Sequence, residues 1–352
     1  MTETLFPRHE NFYVTRYMGS KYRLLDLVVP AVNAVASIGA PVIDLMAGTH
    51  AVGYALRDSR VVIANDIQAY SEVFGRALLL NDQFPHVRDR IRSDLGPLKI
   101  QESSAGWFSN TYADTYFSHE QCREIEEIRT RILGVKDETL AALYMTALIF
   151  AMGLCQSSPG HFAQFMPSNH NRVKALRAKS VVEAFESRCS DLNVQIQGPR
   201  CHVFRREAGQ LLGDESLGSL APEGSVVYLD PPYTSAQYSR YYHLLETVVL
   251  NDQPNVLHKA KYRDDRFQSS FCSSKKALPT FEKFFERITS RGWGLVVSYS
   301  SHGVVPTKDL VELTKKYFWK VEINSRSYPH SMQGRGQVSD RLEYVISATE
   351  PR

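Results

Sequence analysis

Cysteine is scarce: five residues in 352, Cys122, Cys155, Cys189, Cys201 and Cys272, odd in number and widely spaced. No Cys-x-x-Cys pair occurs, which excludes a zinc ribbon or a disulfide scaffold and points to reduced thiols in a cytoplasm. No apolar run approaches the ~18 residues of a membrane span, and the polar start Met1-Thr2-Glu3-Thr4 has no charged-then-apolar leader pattern. A soluble cytoplasmic protein with no membrane partner is expected. Neither Gly-x-Gly-x-x-Gly nor Gly-x-x-x-x-Gly-Lys-Ser/Thr occurs, so a dinucleotide or ATP site is disfavoured. No clustered acidic metal site of the nuclease kind is found, and no metal is expected. Internal repeats and low-complexity segments are absent too. A formal net charge of +3 is too small to prove a nucleic-acid partner, so the distribution of charge matters more than its total.

What is present suffices for a large core. With 43% hydrophobic and 22% charged residues, the chain can bury one substantial core and one smaller lobe. Strands alternate with amphipathic helices up to about Leu80, the pattern of αβ layering. From about Phe84 to Gly198 the strand signal stops, and Ile125, Ile128 and Ile132 recur at helix spacing, as do Leu140, Leu143, Tyr144, Ala147 and Leu148. Strand character resumes at His202, at Val226 to Leu229 and at Gly294 to Ser298. Helices are predicted at Tyr70 to Leu80, Tyr241 to Leu250, Thr280 to Thr289 and Lys308 to Tyr317, with a closing strand pair at Val321 to Ser325 and Leu342 to Ala348. The expectation is an α/β protein with helices on both faces of its sheet. Residues 1–83 and 199–352 would form that domain, and 84–198 an inserted, mainly helical lobe.

The apolar run Val226-Val227-Tyr228-Leu229 ends in Asp230-Pro231-Pro232-Tyr233, a carboxylate, a rigid turn and an aromatic ring. A planar exocyclic amine is a poor nucleophile because its lone pair is delocalised into the ring. Two acceptors aimed at its hydrogens localise that pair, and here they would be the Asp230 side chain and the Pro231 carbonyl, held still by the fixed φ of proline. Tyr233 would stack on the base, worth on the order of 1–3 kcal/mol. A turn after a buried strand is the plain alternative. Upstream, Val42-Ile43-Asp44-Leu45-Met46-Ala47-Gly48-Thr49-His50-Ala51-Val52-Gly53 reads as a strand, a small-residue turn and a helix, where a nucleotide-like ligand can approach the backbone. Val61 to Asp66 is a second strand, ending in an acid roughly 20 residues on, a spacing common for ribose-binding acids.

In these ordered pieces the chain resembles the Dam-like, alpha-class adenine DNA methyltransferases. Tyr17-Met18-Gly19-Ser20-Lys21 and the helical run that follows resemble the family's amino-terminal segment over the methionine part of the cofactor. Asp44 to Gly53 resembles its cofactor turn, with His50 standing where the family usually has glycine. Asn65-Asp66 resembles the ribose acid, and Asp230-Pro231-Pro232-Tyr233 is the catalytic motif. The resemblance covers roughly the first 80 residues and the stretch from His202 onward. It implies a Rossmann-like methyltransferase sheet, S-adenosyl-L-methionine as cofactor, and transfer of its methyl group to the N6 of an adenine flipped out of double-stranded DNA, in an enzyme of bacterial or phage type. Cofactor contacts are implied from Tyr17, Met18, Gly19 and Lys21; from Asp44, Met46, Ala47, Gly48 and Thr49; from Asp66, Ile67, Glu207 and Ala208; and from Asp230. Adenine in structured RNA, cytosine N4 in DNA, or a pure DNA-binding module with a decayed cofactor pocket stay open. So does the biological setting: a companion restriction endonuclease, a regulatory role or a mobile element.

Two stretches carry the expected contacts to DNA. Ser157 to Ser168 breaks the helical pattern with polar and aromatic residues, and its Gln164 amide could pair with an adenine edge. Arg172, Lys174, Arg177 and Lys179 follow as a basic cluster suited to phosphates. After the catalytic turn come Tyr238 and Arg240, and then Lys261, Arg263 and Arg266 interleaved with aromatics on a stretch that looks irregular. A solvated helix face is the plain alternative for the first stretch, and a surface loop paired with itself for the second, which is the better candidate.

Overall fold

The computed structural model describes residues 21–98, 106–192, 198–331 and 338–352. Tyr17, Met18 and Gly19 therefore lie outside the described residues. Nine strands follow one another within them: β1 Val42–Asp44, β2 Val62–Asp66, β3 His202–Arg205, β4 Val226–Leu229, β5 Val256–Leu257, β6 Tyr262–Arg263, β7 Gly294–Ser300, β8 Phe318–Ser331 and β9 Val338–Pro351. β1, β4 and β7 are buried along their whole length. That is why they read as continuous apolar runs, since strands covered on both faces need no polar alternation.

Seven strands form one sheet in the order β3-β2-β1-β4-β7-β9-β8. The first five run parallel, and β9 is antiparallel to both of its neighbours. The chain steps from β1 outward to β2 and β3, then returns on the other side of β1 as β4. The order thus reverses between β1 and β4, the place where ligands bind in open α/β sheets. Asp44 ends β1 and Asp230 directly follows β4. The expected Rossmann-like architecture is present.

Helix Ala277–Thr289 places Phe281, Phe284, Phe285 and Ile288 on one stripe, which packs with Trp293 on Ile43, Ile63, Val227, Leu295 and Val297. Trp293 satisfies its indole N–H on the Ala221 carbonyl at 2.9 Å. Helix Leu25–Val35 buries Val28, Val29 and Val32.

The chain divides into two compact units. The sheet unit holds Lys21–Ile67, Gly198–Tyr238 and Phe267–Arg352. The other holds Gln68–Gln197 and Ser239–Arg266, so it begins before residue 84 and takes in a stretch beyond 198. Packing explains both extensions. Phe74 on helix Ala69–Leu79 meets Phe150 at 5.7 Å between ring centroids, and Glu246 on helix His243–Leu250 accepts from the Ala69 and Tyr70 N–H groups at 2.9 and 3.3 Å.

Between 84 and 198 the described residues contribute helices and no sheet strand, as expected. Helix His119–Ile132 starts from a capping box, with Ser118 and Gln121 bonded to each other's backbone N–H. The 18-residue helix Glu138–Cys155 corrects the expectation of no membrane-length run: it is long and apolar enough to cross a bilayer. Its window is 72% buried inside the unit, as for a core helix apolar all round. A second correction concerns Lys259 to Phe271, read as irregular: it contains β6, paired antiparallel with β5 through Val256 opposite Arg263. Two-residue strands are too short to show an alternation in sequence.

Candidate active site

Asp44, Asp66 and Asp230 lie at the carboxyl ends of neighbouring parallel strands, and a small-residue turn follows β1. Leu45 donates its N–H to the Tyr228 carbonyl at 3.1 Å, and Ala47 donates to that of Asn65 at 2.8 Å, so the turn is pinned from both sides. Asp66 accepts from the Gly48 N–H at 3.0 Å. Gly48 (φ 52°) and His50 (φ 59°) both lie in the left-handed region. Met46 and Gly48 are half-buried, Ala47, Thr49 and His50 buried, and Ile67 half-buried beyond β2.

His50 therefore holds the backbone shape that glycine adopts without strain. It does so as the residue preceding helix Ala51–Leu56, with its N–H on the Ala47 carbonyl at 2.7 Å. A β-branched residue tolerates this region worse than histidine. His50→Val should lower stability by about 1–2 kcal/mol, read as a drop in the thermal midpoint, whereas His50→Gly should preserve the turn.

The Asp230-Pro231-Pro232-Tyr233 turn is equally constrained. Val304 donates to the Tyr233 carbonyl at 2.7 Å, and the Tyr233 ring packs edge-on to Tyr299 with centroids 6.0 Å apart. The Tyr233 hydroxyl is hydrogen-bonded to Tyr238, and burial pushes its pKa up. Tyr238, expected to touch DNA, is thus a neighbour of Tyr233.

Lys21 forms the contact that most defines the site. Its Nζ lies 2.7 Å from Asp230 Oδ1, with the two side chains only 6% and 16% exposed, and 5.5 Å from the Tyr233 ring centroid. Burial pulls the lysine pKa down, but the charge and hydrogen bond of Asp230 carry it above the ordinary value. For Asp230, burial raises the pKa and the Lys21 charge opposes it, leaving it at about 6. Asp44 is pushed up to about 8, first by burial and then by the charge of Asp230, and its Oδ1 is buried without a hydrogen bond. Glu343, opposite Ser300 across β7 and β9, raises Asp230 further.

Sequence reasoning missed two of these roles. Glu343 comes from a strand more than a hundred residues beyond the motif, and only sheet register brings it near. Asn65, buried, bonds the Leu45 carbonyl at 3.1 Å and both polar groups of the Arg206 backbone at 3.0 and 3.1 Å, tying the ends of β1, β2 and β3. Its polarity at the end of an apolar strand was the available signal. Glu207 behaves as a helix cap: its carboxylate accepts from Gly209 and Gln210 N–H at 3.1 and 3.0 Å, with Ala208 buried behind it.

In the helical unit an open groove of about 780 Å³ brings Gln164, Arg240 and Arg266 together with Phe165, Lys259 and Tyr262. Both guanidinium groups lie 5.1 Å from the Tyr262 ring centroid. The groove is floored by a buried network. Tyr262 donates to the Ala163 carbonyl at 2.6 Å, Tyr116 donates to those of Phe162 and Ala260 at 2.5 and 2.8 Å, and His243 Nε2 lies 3.0 Å from the Phe162 oxygen. Burial holds His243 neutral, with a pKa near 3. Arg172 and Lys174 are exposed on helix Asn171–Arg177.

Two expected phosphate contacts are corrected. Arg263 is buried, with its guanidinium on Asp252 at 2.5 and 2.6 Å and on Asp265 at 2.8 and 3.0 Å. Lys261 donates its ammonium to the Thr111 carbonyl. Both hold the β5–β6 hairpin in place. Arg263→Ala should cost about 2 kcal/mol of stability, since charged hydrogen bonds are lost but the aspartates regain solvent; a thermal melt reads this directly.

A mixed sheet of this order carries Asp44, Asp66 and Asp230 at its switch point, with the Asp-Pro-Pro-Tyr turn directly after β4. The profile of the D12 class N6 adenine-specific DNA methyltransferases matches residues 17–198 and 203–299. The chain belongs to this family. It is 28% identical over 356 residues to modification methylase LlaI of Lactococcus lactis subsp. lactis, covering 94% of this chain and 54% of that protein. It is 23% identical over 346 residues to modification methylase StsI of Streptococcus sanguinis, covering 93% and 50%. To type II methyltransferase M.NlaIII of Neisseria lactamica it is 26% identical over 316 residues, covering 86% and 88%. The chain thus spans about half the length of the first two relatives.

Proposed function

We propose that this protein methylates the N6 amine of adenine in duplex DNA with S-adenosyl-L-methionine as the methyl source, as a modification enzyme of the type II kind. The observation that carries this reading is Asp230, ionised by Lys21 and seated beside the Asp44 turn at the switch point of the sheet. The acid set fits the cofactor. A buried carboxyl driven toward neutrality, with an oxygen lacking a hydrogen bond, is relieved by a cationic, hydrogen-bond-donating ligand, and a sulfonium amino acid is such a ligand. Asp44, the Met46-to-Thr49 backbone, Asp66 and Ile67 would hold it. When bound, it supplies an electrophilic methyl group.

The chain's own residues prepare the amine. Asp230 and the Pro231 carbonyl accept its two hydrogens, so its lone pair is localised toward the methyl. Tyr233 lies against the base and offsets part of the few kcal/mol needed to unstack it. The Asp230 carboxylate, with a pKa of about 6, would take the proton that the amine gives up on methylation. In the helical unit the Gln164–Arg240–Arg266 groove supports contact with bases and phosphates. Calorimetric titration with S-adenosyl-L-methionine tests the reading: saturable binding is expected, and no heat of binding would leave only a DNA-binding module.

A further inference from the structure

Where helix Glu138–Cys155 ends, a cavity of about 250 Å³ opens toward helices Asn171–Arg177 and Val181–Asp191. Its lining includes Arg172, Lys179 and Arg188 and no carboxylate. Gln156 and Ser158, each 6% exposed, also line it, and neither Gln156 Oε1 nor Ser158 Oγ has a hydrogen-bond partner. Arg188 is anchored to Asp191 at 2.7 Å, leaving its Nε unpaired. Lys179 is exposed and donates to the Leu154 carbonyl at 3.2 Å.

Unpaired buried polar groups destabilise a fold unless something satisfies them. Two donors, the Ser158 hydroxyl and the Arg188 Nε–H, lack a partner in one cavity lined by three cations, and together they ask for an acceptor-rich anion. The nitrogen end of the Gln156 amide, the Ser158 hydroxyl and the guanidinium and ammonium groups are all donors, and a phosphate presents acceptors in every direction. We infer that this cavity is a phosphate site that takes one backbone phosphodiester of bound DNA, an assignment that rests on the DNA reading above. Arg172 acts here as part of a built site with Gln156, Ser158, Lys179 and Arg188. Arg177 does not contribute, because its guanidinium is held by Asp114.

Anisotropy titrations of a labelled mixed-sequence duplex over a salt series test this, on wild type, Lys179→Gln and Gln156→Leu. Lys179→Gln should reduce the slope of log affinity against log salt by about 0.9, one phosphate contact. Gln156→Leu should weaken binding several-fold with the slope unchanged. Without DNA it should melt no lower than wild type, because an unpaired buried amide has been removed; a structural glutamine would give a lower melt. Wild-type affinity and slope in both variants would overturn the site. Inorganic phosphate that raises the wild-type melt, while DNA binding stays unchanged in the variants, would also overturn it by assigning the cavity to a free anion. A wild type that bound no duplex at all would instead refute the function proposed above and, with it, the DNA source of the phosphate.

Discussion

Asp230→Ala should abolish methyl transfer, by at least about a thousandfold, and leave duplex affinity nearly unchanged. On the proposed reading the carboxylate acts on the amine, while the duplex would be held by the groove in the helical unit. The variant also takes a carboxylate away from the buried Lys21 ammonium, so its thermal midpoint should fall. Asp230→Asn separates the two effects: it keeps an acceptor and the side-chain volume but removes the charge, so it should hold its fold better while losing most of its rate. Methyl incorporation from labelled cofactor, measured beside duplex binding and thermal melts, reads all three quantities. Activity retained in both variants would remove Asp230 from the chemistry.

Lys21→Met should move the acidic limb of the rate profile upward by about 1–2 pH units. The sign follows from the site. Transfer needs the Asp230 carboxylate ionised, and burial already raises its pKa to about 6 against the opposing charge of Lys21. The groups that act on this carboxyl are Lys21 and Glu343, and Asp230 in turn influences Asp44, Tyr228 and Tyr233. Deleting the cation leaves burial and Glu343, both of which favour the protonated acid. The rate at pH 6.5 should therefore fall by roughly three- to twenty-fivefold, each pKa unit being about 1.4 kcal/mol, and recover largely by pH 8.5. Lys21→Arg should restore part of the limb. An unshifted limb in Lys21→Met would show that the ion pair does not set the ionisation of the catalytic acid. The resemblance assigned Lys21 to the cofactor; in the structure its ammonium lies 2.7 Å from the Asp230 carboxylate.

How much of this was legible depended on the range of the interaction. The run Val226 to Leu229 matched β4 residue for residue, because a fully buried parallel strand is apolar throughout. The turn after β1 was legible because small residues are needed where backbone approaches a ligand, and even His50 could be read as a residue tolerant of its left-handed angle. Glu343 was not, since only the β7–β9 register brings it to Asp230. Arg263 was misread for a related reason: its partner Asp252 lies on the far side of the hairpin, and a basic residue among aromatics has the same local signature whether it faces a phosphate or a buried carboxylate. The start of the helical unit at Gln68 was hidden because helix Ala69–Leu79 is amphipathic in sequence without naming the partner of its apolar face.

The central claim is that one pocket directs an exocyclic amine at a methyl group. Nucleoside mass spectrometry of duplex DNA incubated with the protein and methyl-labelled S-adenosyl-L-methionine tests it most directly. The label should appear on N6-methyl-2′-deoxyadenosine from the DNA and be absent from a parallel digest made with Asp230→Ala. Label on a ring carbon or ring nitrogen, on cytosine N4, only in RNA, or nowhere would contradict the account.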